Sequence, residues 1–199
     1  MFTPDMREQL HTVFGRMHRP LKLKLFLDER QISAELEQFI SSLAEMTDKL
    51  SMQVEERNAS SETAPCVQVC LEDGTPTGLA FHGVPGGHEF TSFVLGLYNA
   101  AGPGQALDED VRRQIEALEH PVNMKILVSL SCTMCPDLVI AAQRIAAINP
   151  RVTAEVYDLA HFEQVKKQYN VMSVPCLVVN DDRVTFGKKN IQQLLAFLG

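Results

Sequence analysis

The sequence predicts an α/β fold built from two tandem copies of one unit: strand–helix–strand, then a two-stranded hairpin and a helix. Apolar runs of strand length alternate with stretches of helical 3–4 spacing. The pattern also recurs along the chain. Lys24-Leu25-Phe26-Leu27 matches Lys125-Ile126-Leu127-Val128, Pro20 matches Pro121, and Phe90, Phe93, Val94 and Leu97 match Ile191, Leu194, Leu195 and Leu198, each pair 101 residues apart. Ala64-Pro65-Cys66-Val67-Gln68-Val69 parallels Val174-Pro175-Cys176-Leu177-Val178-Val179 at an offset of 110, so the second copy carries extra residues before this segment.

The first copy, residues 1–102, reads as a strand near 21–27, a helix near 32–46 and a strand near 50–56. A proline-led strand near 66–71, a strand near 78–82 and a helix near 88–101 follow. The second copy, 103–199, has a strand near 122–128, a helix near 135–148 and a strand near 152–157. It continues with a short helix near 160–168, a proline-led strand near 176–180, a strand near 183–186 and a helix near 190–198. Segments near 1–17 and 108–119 read as extra helices, one leading each copy, and Gly102-Pro103-Gly104 is a natural linker between the copies. A βαβ unit followed by a hairpin and a helix is the thioredoxin topology.

Composition narrows the function classes. The 199 residues carry 18 basic and 25 acidic side chains, net −7, with no long basic run, which argues against nucleic acid and anionic membranes as partners. No apolar stretch is long enough to span a bilayer. The segment Met1–Leu10 lacks the basic and apolar regions of a signal peptide. Five cysteines, an odd number, do not form a disulfide scaffold, so the expectation is the reducing cytoplasm with any disulfide catalytic and transient.

Cys132-Thr133-Met134-Cys135-Pro136 carries the chemistry. It lies between a strand and a helix start, where free N–H groups and the positive dipole end favour a thiolate. C-x-x-C in a βαβ context reads as a redox dithiol, Cys132 the nucleophile and Cys135 the resolving thiol. A structural pair or half a zinc site is the competing reading, but zinc usually takes four ligands and no second C-x-x-C exists, so no metal is expected. Pro175, opening a strand opposite the dithiol, is expected to be cis. The first copy has Asp28-Glu29-Arg30-Gln31 at the place of the redox turn, with no thiol. It either shapes a surface beside the active copy or only supplies bulk.

Cys66, Cys70 and Cys176 read as small core residues. Cys66 and Cys70, about 13 Å apart along a strand, cannot bridge each other, and Cys176 is a candidate side target for oxidation. Glu89, near a helix start, reads from spacing alone as a dipole-matched surface carboxylate. His82 and His88 form no metal pattern and read as plain polar residues. Gly83-Val84-Pro85-Gly86-Gly87 is loop chemistry rather than a dinucleotide turn, so the chain is expected to bind no cofactor and to take its electrons from another protein or domain.

The silent first copy, Gly87-His88-Glu89-Phe90-Thr91-Ser92, Ser129-Leu130-Ser131-Cys132-Thr133-Met134-Cys135-Pro136-Asp137 and Val174-Pro175 together resemble the N-terminal domain of the flavoprotein subunit of bacterial alkyl hydroperoxide reductase. The resemblance covers nearly the whole chain. It implies two fused thioredoxin folds sharing one continuous mixed sheet flanked by helices. It implies Cys132 and Cys135 as the redox pair, Pro175 as the cis-proline and Glu89 as the acidic neighbour of the dithiol. It further implies a flavoprotein reductase donor holding FAD and NAD(P)H, on the same or a separate chain, and a peroxiredoxin disulfide as acceptor. A general protein-disulfide reductase of thioredoxin or glutaredoxin type is the alternative, and a non-redox interaction or metal-binding module a more distant one.

Overall fold

The structure, a computed structural model, describes residues 2–57 and 62–199. Alternation fixes the first strand: Leu21, Leu23 and Leu25 are buried while Lys22 and Lys24 between them stay partly exposed, which gives β1 (Leu21–Phe26) one core-facing side. Helical spacing fixes α2 (Gln31–Ala44), whose Ile32, Leu36, Ile40 and Leu43 form one buried stripe. The remaining elements are α1 (Pro4–Gly15), β2 (Leu50–Glu56), β3 (Cys66–Leu71), β4 (Pro76–His82), α3 (Glu89–Ala101), α4 (Glu109–Glu116), β5 (Val122–Val128), α5 (Cys135–Ile148), β6 (Val152–Asp158), α6 (Glu163–Gln168), β7 (Cys176–Val179), β8 (Arg183–Phe186) and α7 (Ile191–Leu198).

Local chemistry sets the helix starts. Thr3 accepts the Met6 N–H ahead of Pro4 in α1, Asp108 accepts the Asp110 and Val111 N–H groups of α4, and Asn190 forms a reciprocal capping box with Gln193 in α7. The expected helix near 160–168 begins only at Glu163. The preceding residues are committed elsewhere: Leu159 N–H donates to the Val128 carbonyl, and the Asp158 carboxylate accepts the Ala160 N–H.

One eight-stranded mixed sheet runs β2-β1-β3-β4-β6-β5-β7-β8. Each copy repeats the same internal order, a parallel pair followed by two antiparallel pairings. The copies join where β4 runs parallel to β6, from Leu79 opposite Ala154 to His82 opposite Tyr157. Gly78 (φ +88°) starts this seam; a Cβ there would sit 2.6 Å from the Val152 carbonyl oxygen, so only glycine lets the strands close.

Six helices, α1 to α5 and α7, pack their apolar faces into one core on one side of the sheet. On the other side α6 covers a smaller cluster: Leu127, Tyr157, Phe162, Val165, Val171, Cys176 and Val178. The first copy has no counterpart of α6 among the described residues.

Candidate active site

The dithiol turn follows from the elements on either side of it. β5 ends in the buried apolar run Ile126-Leu127-Val128, and α5 begins at Cys135 with Pro136 in its first turn, where a missing N–H costs nothing. Between them the Cys132 N–H donates to the Ser129 carbonyl (2.9 Å) and closes a tight turn. Cys132 and Cys135 form a disulfide with Cα atoms 5.5 Å apart. Cys135 is fully buried in the first helical turn, whereas Cys132 is half-buried. Attack from outside can therefore reach Cys132 alone.

The second face of the site is the start of β7. Antiparallel pairing sets Cys176 opposite Leu127, so Pro175 falls at the sheet end from which the redox turn departs. The Val174–Pro175 peptide is cis, and the Gly187 N–H donates to the Pro175 carbonyl (2.9 Å). Ala64–Pro65, its counterpart in the first copy, and Gly102–Pro103 are also cis. Met134 within the turn is 51% exposed, Met172 three residues before Pro175 is 78% exposed, and Phe186, paired with Cys176, is 40% exposed. With Val184 they are the exposed large hydrophobic residues among those described, and all four lie in the second copy. Sequence reasoning missed Met172 and Phe186; an apolar residue three places before a strand-opening proline was the signal available.

Glu89 is not the surface carboxylate that its spacing suggested; it is buried. The start of α3 docks onto the residues before the dithiol: the His88 N–H donates to the Leu130 carbonyl (3.0 Å), two positions ahead of Cys132. Gly87 permits this approach, since a Cβ there would lie 2.5 Å from the same oxygen. The Ser92 hydroxyl donates to Glu89 Oε2, while Oε1 is buried with no protein partner. Burial outweighs the Ser92 bond and pushes the carboxyl up to about 7.

The other cysteines are buried and free. Cys176 lies in the cluster beneath α6, and burial raises its thiol to about 11, so it stays protonated and closed to oxidants. Burial also raises the Cys66 and Cys70 thiols. His82 is not a plain polar residue: it is buried, stacked on Tyr157 with ring centres 3.9 Å apart, and its Nδ1 lies 2.6 Å from the Thr63 carbonyl. Burial lowers it to about 4, so it is neutral at pH 7. His88 is exposed. Among the described residues no three His, Cys, Asp or Glu side chains group as metal ligands, and no helix is long and apolar enough to cross a membrane.

Residues 122–198 match a thioredoxin domain family. Two solved structures of the alkylhydroperoxide reductase AhpF of Enterococcus faecalis superpose on the chain. One, of its NTD_N/C domain, has a TM-score of 0.93 at 34% identity and covers 100% of both chains. The other, of a C503A mutant, has a TM-score of 0.93 at 35% identity and covers 100% of this chain and 99% of that one. This chain belongs to the AhpF family, as its N-terminal domain. The AhpF protein of Pseudomonas aeruginosa is 30% identical over 98% of this chain and 37% of its own length. The chain spans 37–38% of the length of the curated relatives it matches. Within this family the Cys132–Cys135 pair marks the domain as a thiol–disulfide oxidoreductase.

Proposed function

We propose that the chain relays electrons from a flavoprotein reductase, holding FAD and NAD(P)H on the same or a separate polypeptide, to a peroxiredoxin disulfide, and so serves peroxide detoxification in the cytoplasm. Residues 1–102 form a silent unit and 103–199 the redox unit. The observation that carries this reading is the disulfide between a reachable Cys132 and a sealed Cys135 at a helix start, in a chain of this family.

In the reduced form, Cys132 thiolate attacks one sulfur of the partner disulfide. A mixed disulfide forms and the partner's other sulfur leaves as a thiolate. Cys135 then attacks the Cys132 sulfur, which restores the internal disulfide and releases the partner's second thiol. Two electrons pass to the partner, and the donor dithiol returns them. Cys135 must lose a proton while buried, and Glu89 suits that exchange: it is buried, its Oε1 is unpartnered, and it titrates near neutrality. Pro175 offers a strand end without an N–H, against which a partner backbone can lie.

The decisive experiment couples the chain to a flavoprotein reductase and follows NAD(P)H oxidation with an oxidised peroxiredoxin as acceptor. Turnover that needs both partners supports the relay. Rapid reduction of insulin with a simple dithiol donor, and no preference for the peroxiredoxin, would support the general reductase instead.

A further inference from the structure

Arg30 belongs to the copy without a dithiol, yet its side chain bridges the two copies. It holds the place of Met134: each directly precedes a 14-residue helix, Gln31–Ala44 or Cys135–Ile148. Met134 faces solvent, whereas Arg30 folds back along the chain. Its Nε donates to Asp28 Oδ2 (2.7 Å), Nη2 to the Ala64 carbonyl (2.5 Å) and Nη1 to the His161 carbonyl (3.0 Å). Its guanidinium also lies 5.7 Å from the centre of the Phe162 ring. Ala64 precedes Pro65 as Val174 precedes Pro175. The Ala64 carbonyl, whose counterpart in the redox copy is that of Val174, is thus held in the silent copy by the chain's own arginine.

His161 and Phe162 lie in the turn between β6 and α6, in the redox copy. That turn touches both segments that frame the disulfide. Leu159 N–H donates to the carbonyl of Val128 (3.0 Å), the last strand residue before the redox turn. Phe162 is fully buried in the cluster that holds Leu127 and Cys176, and Val174 and Leu159 pack against the same cluster. A second bond crosses between the copies, from Gln164 Nε2 to the Glu62 carbonyl (2.8 Å).

We propose that Arg30 is a positioning residue for thiol–disulfide exchange: it holds residues 159–162 as one wall of the surface on which a protein partner docks to reach Cys132. This rests on the electron-carrier reading and gives the silent copy a part in it. Arginine fits the task because its planar fork reaches three acceptors from three separate nitrogens; lysine's three donors all sit on one nitrogen and do not match that spread. The effect falls on docking and leaves the sulfur chemistry untouched.

The test uses the full chain with Arg30→Ala, Arg30→Lys and the milder Gln164→Ala. Reduced protein is assayed against a peroxiredoxin disulfide, against insulin and against the small disulfide DTNB, with amide hydrogen exchange measured in parallel. Arg30→Ala should raise KM for the protein disulfides roughly fivefold or more, the scale of losing charge-assisted hydrogen bonds at a docking wall. The kcat and the DTNB rate should stay within about twofold. Exchange should quicken at residues 158–164 and remain unchanged in α3 and β3. Arg30→Lys should not restore KM, and Gln164→Ala should show a smaller shift in the same direction. Equal losses with DTNB and protein disulfides, or unchanged exchange at 158–164, would overturn the proposal. A wild-type chain that reduces DTNB but neither protein disulfide would sink the electron-carrier reading instead, and the exchange data would still decide whether Arg30 holds the wall.

Discussion

Two turns at equivalent places, Asp28–Gln31 and Cys132–Cys135, follow matching strands and open helices of equal length, yet they do different work. Asp28 stands where Cys132 stands. Its carboxylate, despite partial burial, is held below its ordinary range by the Ser33 hydroxyl and by Arg30. The first turn therefore has its charges paired, to one another and through Arg30 to the Ala64 and His161 carbonyls. The second turn leaves a half-buried sulfur and an exposed methionine. Reactivity here comes from what the second turn leaves unsatisfied, on a scaffold common to both copies.

The comparison can be pushed hardest at the sulfurs. Cys132→Ser should lower turnover with a flavoprotein reductase and peroxiredoxin by at least ~10³-fold, since the hydroxyl is a far weaker nucleophile. Asp28→Ser, at the matching position, should leave kcat within about twofold in the same coupled assay, any effect passing through its partner Arg30 to KM alone. A loss of kcat at saturating peroxiredoxin in Asp28→Ser would mean that the first copy takes part directly in the chemistry.

A second probe is pH. Glu89 titrates near 7 when folded and near 4.5 when free, so the folded state binds the extra proton. Stability should fall as pH rises from about 4.5 to 7, and Glu89→Gln should remove that loss, on the order of 3 kcal/mol at pH 8. His82 acts with the opposite sign. Its folded value near 4 lies below the ordinary 6.5, so its contribution is present above about 6.5 and is lost as pH falls through 4. Urea unfolding from pH 4 to 8 resolves both: Glu89→Gln should flatten the neutral side of the curve and keep the acid side.

Smaller effects separate buried thiols from reactive ones. Cys66→Ser puts a hydroxyl where a thiol was buried against His82 and should cost about 1–2 kcal/mol of stability by denaturant titration, with turnover unchanged. Met172→Ser, at an exposed site, should change stability by less than about 0.5 kcal/mol. Stopped-flow reduction of a protein disulfide should slow by about two- to threefold in that variant, with the DTNB rate unaltered.

Much of the fold was legible because each copy obeys local rules. The alternation in Leu21–Phe26, the apolar run Ile126-Leu127-Val128 at the end of its strand and the helix from Cys135 to Ile148 depend on neighbours in sequence, and the 101-residue offset exposed the repeat. The dithiol was legible for the same reason, its two thiols being three residues apart. Burial of Glu89 was not, because it depends on His88 meeting Leu130 across 42 positions. His82 was misjudged likewise: its stacking partner Tyr157 comes from the other copy. The bonds from Arg30 to Ala64 and His161 carry no local signature, since a guanidinium beside an aspartate reads equally well as a solvated pair.

The parallel seam between β4 and β6 has a practical consequence. Because the last strand of one copy and an outer strand of the other complete each other's ladder, the molecule has two sheet borders, β2 and β8, instead of four. Cutting the polypeptide between Gly102 and Pro103 would give each fragment a raw row of unpaired amides and carbonyls, a template for sticking to its own kind. A minimal redox module trimmed to residues 103–199 should therefore self-associate unless β6 is given a new neighbour.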